Sequence, residues 1–148
     1  MSLVMLLLLW VAGGTAQNQP APKPETPSPY VWAKGCKDCH TEIYNAWEKT
    51  KHATALTRLS TEDQQKECAT CHLTGGSKVL DDKANAGIQC EGCHGPGRAH
   101  AESAVAGKPT PITKKPDVKV CEACHNDKSP HFHGFYYDAM RGLVHRTK

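Results

Sequence analysis

Residues 90–100 read Cys90-Glu91-Gly92-Cys93-His94-Gly95-Pro96-Gly97-Arg98-Ala99-His100. Two cysteines three positions apart, followed at once by histidine, form CxxCH, the attachment pattern for c-type haem. The chemistry explains the spacing. Two thiols add to the two vinyl groups on one edge of the macrocycle, and the histidine beside the second cysteine reaches under the ring to ligate iron. The pattern recurs at Cys36-Lys37-Asp38-Cys39-His40, Cys68-Ala69-Thr70-Cys71-His72 and Cys121-Glu122-Ala123-Cys124-His125. All eight cysteines of the chain are used by these four motifs.

Two other uses of paired cysteines compete with that reading. Cys68 to Cys93 has zinc-ribbon spacing, and eight cysteines in an exported chain could form four disulfides. Neither accounts for a histidine at the same offset after all four pairs. The cofactor reading is therefore four covalently attached c-type haems, with His40, His72, His94 and His125 as proximal ligands.

The composition agrees. The chain has 148 residues, 39% of them hydrophobic, and only two Phe. Many of its apolar residues fall in the first sixteen positions, which leaves the rest poor in core material. So lean a domain would struggle to offset its folding entropy by burying its own side chains. Four large flat apolar cofactors would supply the missing interior.

Leu3 to Val11 is an uninterrupted apolar run followed by small residues, with a cleavage position after Ala16. No Lys or Arg precedes Lys23, so the leader lacks the usual basic start. Residues 1–16 read as a signal peptide, 17–29 as a Pro-rich solvated linker, and 30–148 as the tetrahaem domain. Export places the protein in the periplasm or outside the cell. The formal charge is +3, with Lys and Arg scattered among Asp and Glu, which is no nucleic-acid stripe. Eight ionised propionates would carry the reduced holoprotein to about −5.

Nine histidines are present. After the four proximal ones, His52, His100, His131, His133 and His145 remain as candidate distal ligands, with Met140 as the other soft donor. Residues 41–59 contain no Gly or Pro and place Ile43, Trp47, Leu56 and Leu59 at helical spacings, which predicts one helix. On such a helix His52 lies roughly 18 Å beyond His40, so it would serve a different haem. His100 follows His94 by six residues through the Gly95-Pro96-Gly97 turn and would also serve another haem. His145 closes the short segment from Tyr136. His131 and His133 flank Phe132 after Pro130, and alternation sets them on one side of an extended stretch.

Several features together resemble the cytochrome c-554 family of tetrahaem carriers, over about Tyr30 to His145. They are Cys36–His40, Trp47 with Lys51-His52-Ala53 behind it, the block 90–100, and Cys121–His125 followed by Ser129-Pro130 and a terminal His145. The resemblance implies a mainly α fold with extensive loops, a compact multihaem cytochrome c fold organised around four covalently bound haems. It also implies His40 paired with His100, His94 with His52, and His125 with His145. The haem of His72 would lack a strong distal ligand and be high-spin, unless His131 or His133 occupies that position.

The expected function is electron transfer between redox proteins acting as donor and acceptor, with no catalytic residue and no nucleic acid involved. Two alternatives stand beside it. One is a small nitrogen-oxide reductase at an open His72 haem. The other is self-association into an oligomer or a conducting filament.

Overall fold

The computed structural model describes residues 27–76 and 86–146. The expected leader and most of the expected linker lie outside the described residues. Seven short helices carry the described chain: α1 (Trp32–Lys37), α2 (Thr41–Trp47), α3 (Glu62–His72), α4 (Cys90–His94), α5 (Arg98–Val105), α6 (Val118–Glu122) and α7 (Tyr137–Met140). Single 3-10 turns occur at Leu56–Arg58 and Arg141–Leu143. Long connections join them, and the β structure among the described residues is one isolated parallel bridge between Leu73 and Gly87. None of the described helices is long and apolar enough to cross a membrane.

The single helix expected over 41–59 is not formed. α2 stops at Trp47, and His52 sits in a run of turns beyond it. Thr50 causes the break locally. Its backbone N–H and its Oγ1 both donate to the Trp47 carbonyl, at 2.8 and 2.7 Å. A hydroxyl that competes for the helical carbonyls offers the backbone another route. Tertiary contacts then hold the bent path. Trp47 Nε1 donates to the Ile88 carbonyl at 2.9 Å, and Ile88 N donates back to the His52 carbonyl at 2.8 Å. The estimate of 18 Å between His40 and His52 along one helix therefore falls with the helix.

α3 is built more conventionally. Thr61 Oγ1 accepts from Gln64 N while the Gln64 side chain accepts from Thr61 N, a capping box that satisfies two end groups at once. Glu62 and Asp63 follow in the first turn, where the helix dipole favours negative charge. The far end of α3 packs Ala69 and Leu73 against Leu56, with Leu59 and Ala86 around them. This is a very small core. It sits directly behind the Cys68–His72 motif.

Gly87 closes the layer on the other side. It has φ +96°, and a Cβ built there would stand 2.4 Å from the Ala53 carbonyl oxygen and 2.6 Å from that of His52. Both facts demand glycine. Gly87→Ala is expected to cost about 3 kcal/mol, from the left-handed backbone and the clash together, and guanidinium unfolding of the holoprotein would measure it. Thr61→Ala, which removes only the cap, is expected to cost about 1 kcal/mol in the same assay.

Candidate haem-binding sites

Each CxxCH motif lies on a helical turn, and this places its three chemical groups together. Residues i, i+3 and i+4 of a helix share a face, so both thiols and the imidazole point the same way. Cys68–His72 forms the last turn of α3, and Cys90–His94 is the whole of α4. The other two motifs straddle helix ends yet keep the turn: His40 N donates to the Cys36 carbonyl at 3.0 Å, and His125 N to that of Cys121 at 2.9 Å.

The eight thiols are free, and among the described residues no three of His, Cys, Asp or Glu gather as a metal cluster would. The thiols instead meet between motifs. Cys36 is hydrogen-bonded to Cys90, which lowers the pKa of Cys36 and, with burial, raises that of Cys90. Burial and then the charge of Cys121 raise Cys93. Burial, followed by a hydrogen bond to Cys71, pushes Cys124 up to about 12. The first motif thus adjoins the third, the third the fourth, and the fourth the second.

Three histidine pairs face one another. His40 and His100 have ring centroids 6.4 Å apart and planes 20° from parallel. His94 and His145 stand 6.1 Å apart at 28°. His52 and His125 stand 5.9 Å apart with planes at 79°. An imidazole nitrogen lies roughly 2 Å from a bound metal and about 1.1 Å from its own ring centre, so two histidines sharing one metal hold their centroids about 6.2 Å apart. The three separations match that span.

The partners differ from those the resemblance implied. His40 and His100 come together as expected, but His94 faces His145 instead of His52, and His125 faces His52 instead of His145. The reason lies in the fold. With α2 ending at Trp47, the clamp on Ile88 carries His52 away from the line of that helix to the vicinity of the fourth motif. His72 has no ring contact with another histidine among the described residues. His131 and His133 are both exposed, in the irregular stretch after Ser129, and no described ring contact joins either to His72. Met140 closes α7 at the surface.

Several rings are held in the state a metal ligand needs. The Nδ1 of His72 lies 2.9 Å from the Ala55 carbonyl, that of His94 2.5 Å from Thr113 O, and that of His100 2.7 Å from Thr110 O. A carbonyl only accepts, so each Nδ1 carries the proton and Nε2 is left as the donor to a metal. Burial, and after it His125, hold His52 below the usual histidine pKa, which favours the neutral, ligating form. Phe135 stacks on His125 at 4.7 Å and 16° and fixes that ring from the side.

Sequence reasoning missed Glu91 and Gln89. Both are buried, with relative exposures of 4% and 5%, and both bind backbone of the segment before the first motif. Glu91 occupies a variable position of CxxCH, where the pattern gives it no weight.

Cysteine pairs on helical turns, each with a histidine at the same offset, are the pattern of a c-type cytochrome. Residues 35–95 match the family model described as cytochrome c554 and c-prime. Cytochrome c-554 of Nitrosomonas europaea is 30% identical over 136 residues, covering 66% of this chain and 58% of that protein. The chain thus spans rather more than half the length of that curated relative. No solved structure matches this chain. Both matches support a member of the cytochrome c-554 family, a family whose members carry covalently bound c-type haem.

The exchanged pairing is open to a direct check. His145→Ala is expected to convert one low-spin ferric signal to high-spin in the EPR spectrum. Combining it with Cys90→Ala and Cys93→Ala, which removes the third haem, should abolish that new high-spin signal. Under the pairing the resemblance implied, the triple variant would still show one from the fourth haem.

Proposed function

We propose that this protein is an exported tetrahaem electron carrier, with one haem on each CxxCH motif and three of the irons bis-histidine ligated. The observation that carries the reading is the set of three facing histidine pairs, all within a few tenths of an ångström of the span that two imidazoles sharing one metal require. Haem iron supplies one-electron chemistry at potentials set by its axial ligands, and two histidines place it lower than histidine with methionine.

The protein's own contribution is positional. Cys36, Cys39, Cys68, Cys71, Cys90, Cys93, Cys121 and Cys124 tether four cofactors whose attachment edges adjoin in the order first, third, fourth, second. Thr110, Thr113 and Ala55 lock the imidazoles of His100, His94 and His72 through their carbonyls. Holding ligands in one orientation before and after a redox change keeps reorganisation small, which is what a carrier needs. The partners are redox proteins met through small, transient contacts.

One observation favours an additional reading at the end of that series. The recorded partner of the His72 ring is the Ala55 carbonyl, while the other three proximal histidines each face a second histidine. The haem on Cys68 and Cys71 is then the one able to take a small ligand such as nitric oxide or cyanide.

A pyridine haemochrome assay on the purified holoprotein should return four haems per chain. Low-temperature EPR of the oxidised protein should show three low-spin ferric centres and one high-spin centre that responds to cyanide. Fewer than four haems would overturn the tetrahaem reading, and four low-spin centres would remove the ligand-binding one.

A further inference from the structure

We infer that Glu91 is a fixed negative charge shared by the first and third haem sites, and that it holds those two haems at lower reduction potential than the other two. The inference rests on the reading that Cys36/Cys39 and Cys90/Cys93 each carry haem.

Three successive backbone N–H groups converge on the side chains of Gln89 and Glu91. Val31 N donates to Glu91 Oε1 at 3.0 Å, Trp32 N to Oε2 at 2.8 Å, and Ala33 N to Gln89 Oε1 at 3.1 Å. Gly97 N closes the ring, donating to Glu91 Oε1 at 2.6 Å. Val31 is right-handed (φ −112°, ψ −5°) and Trp32 has φ 62°. A right-handed residue followed by a left-handed one forms the backbone nest that binds anions. Here the anion is the protein's own carboxylate.

The arrangement is costly, and the cost argues for purpose. A bulky residue at positive φ is strained, yet Trp32 adopts it and so aims its N–H at Glu91. Gly97 approaches so closely that a Cβ there would stand 3.0 Å from Oε1. All three groups on the carboxylate are N–H donors, which matches two acceptor oxygens. The ion pairs among the described residues are Lys66–Glu62, Arg98–Glu102 and Arg141–Asp138, all with largely exposed side chains on at least one partner. None of them neutralises Glu91. The recorded hydrogen bonds to its carboxylate all come from backbone N–H groups.

Its location makes the charge matter. Glu91 lies between Cys90 and Cys93 on α4. The segment it grips runs into α1, where Cys36 Sγ donates to the Trp32 carbonyl at 3.4 Å and lies in hydrogen-bond reach of Cys90. One buried carboxylate therefore sits at the junction of two attachment edges. Each haem takes up one electron as ferric iron becomes ferrous, and a nearby negative charge in a low-dielectric setting opposes that step. The backbone groups on Glu91 come from the segments of the first and third motifs, and none comes from those of the second or fourth. Electrons delivered to the first or third haem would then run downhill toward the fourth and second.

Spectroelectrochemical titration of the holoprotein, followed by EPR of the separate ferric signals, tests this. In Glu91→Gln the ferrous-to-ferric ratio of the first and third haems at fixed poise should rise about tenfold, a shift of about 59 mV for a one-electron couple. The other two should stay in place, and Glu91→Asp, which keeps the charge, should retain the parent potentials. Gln89→Glu adds a carboxylate to the same nest and should move the same two haems the opposite way, so it decides the matter even if Glu91→Gln fails to mature. Equal shifts at all four haems, matching shifts in the Gln and Asp variants, or unmoved potentials in Gln89→Glu would overturn the inference. Failure of the underlying reading would show separately, as fewer than four haems in the parent protein.

Discussion

The described chain has very little apolar interior, and that scarcity governs how it is held together. Its buried hydrophobic residues are Ala33, Trp47, Ala55, Leu56, Ala69 and Leu73, and three of these are alanine. A large aliphatic side chain contributes about 2 kcal/mol on full burial and alanine much less. Such a core cannot by itself offset the ordering of a domain of this length. Directional polar contacts and the cofactors must do so.

The polar contacts converge on one segment, Ala86 to Gly97. Gly87 O and Ile88 N bind Thr74 and His52, Ile88 O receives the Trp47 indole, and Gln89 and Glu91 take the backbone of residues 31–33. The buried polar side chains of the described chain, Thr74, Gln89 and Glu91, all belong to this cluster. Hydrogen bonds of this kind add modestly to stability when made but cost heavily when left unmade. They therefore specify one arrangement of the third motif against its neighbours more than they add raw stability. Ligand geometry depends on that specification.

How much of this was legible beforehand follows from the range of each interaction. CxxCH is a local code, readable because a single helical turn aligns thiols and imidazole, and all four motifs adopt that turn. Counting left five candidate distal histidines, and the resemblance singled out His52, His100 and His145, each of which lies beside a CxxCH histidine. Their pairing was not legible, because it depends on where α2 ends. The end at Trp47 is set by Thr50 locally and by Ile88 from across the chain, and only the first has any trace in a window of sequence. Glu91 was invisible for the same reason. Its counterpart Glu122 occupies the equivalent position of the fourth motif without a recorded backbone donor on its side chain, and only the strained Val31–Trp32 nest distinguishes Glu91.

The histidine pairs also say how such a chain can be stable at all. His40 faces His100, His94 faces His145 and His52 faces His125, and each pair joins segments far apart in sequence. Covalent attachment at CxxCH is local and costs little chain entropy. Ligation by the distal ring closes a long loop, so a bound haem restricts the unfolded chain much as a disulfide of similar span does. The three loops overlap, and the span from His52 to His125 encloses His94 and His100. Fixing any one distal ligand shortens the search for the others, because it brings their segments into one neighbourhood. On the proposed ligation, a fold with so few buried side chains would gain its cooperativity from the order in which these loops close, and the irons would serve as the cross-links that replace a core.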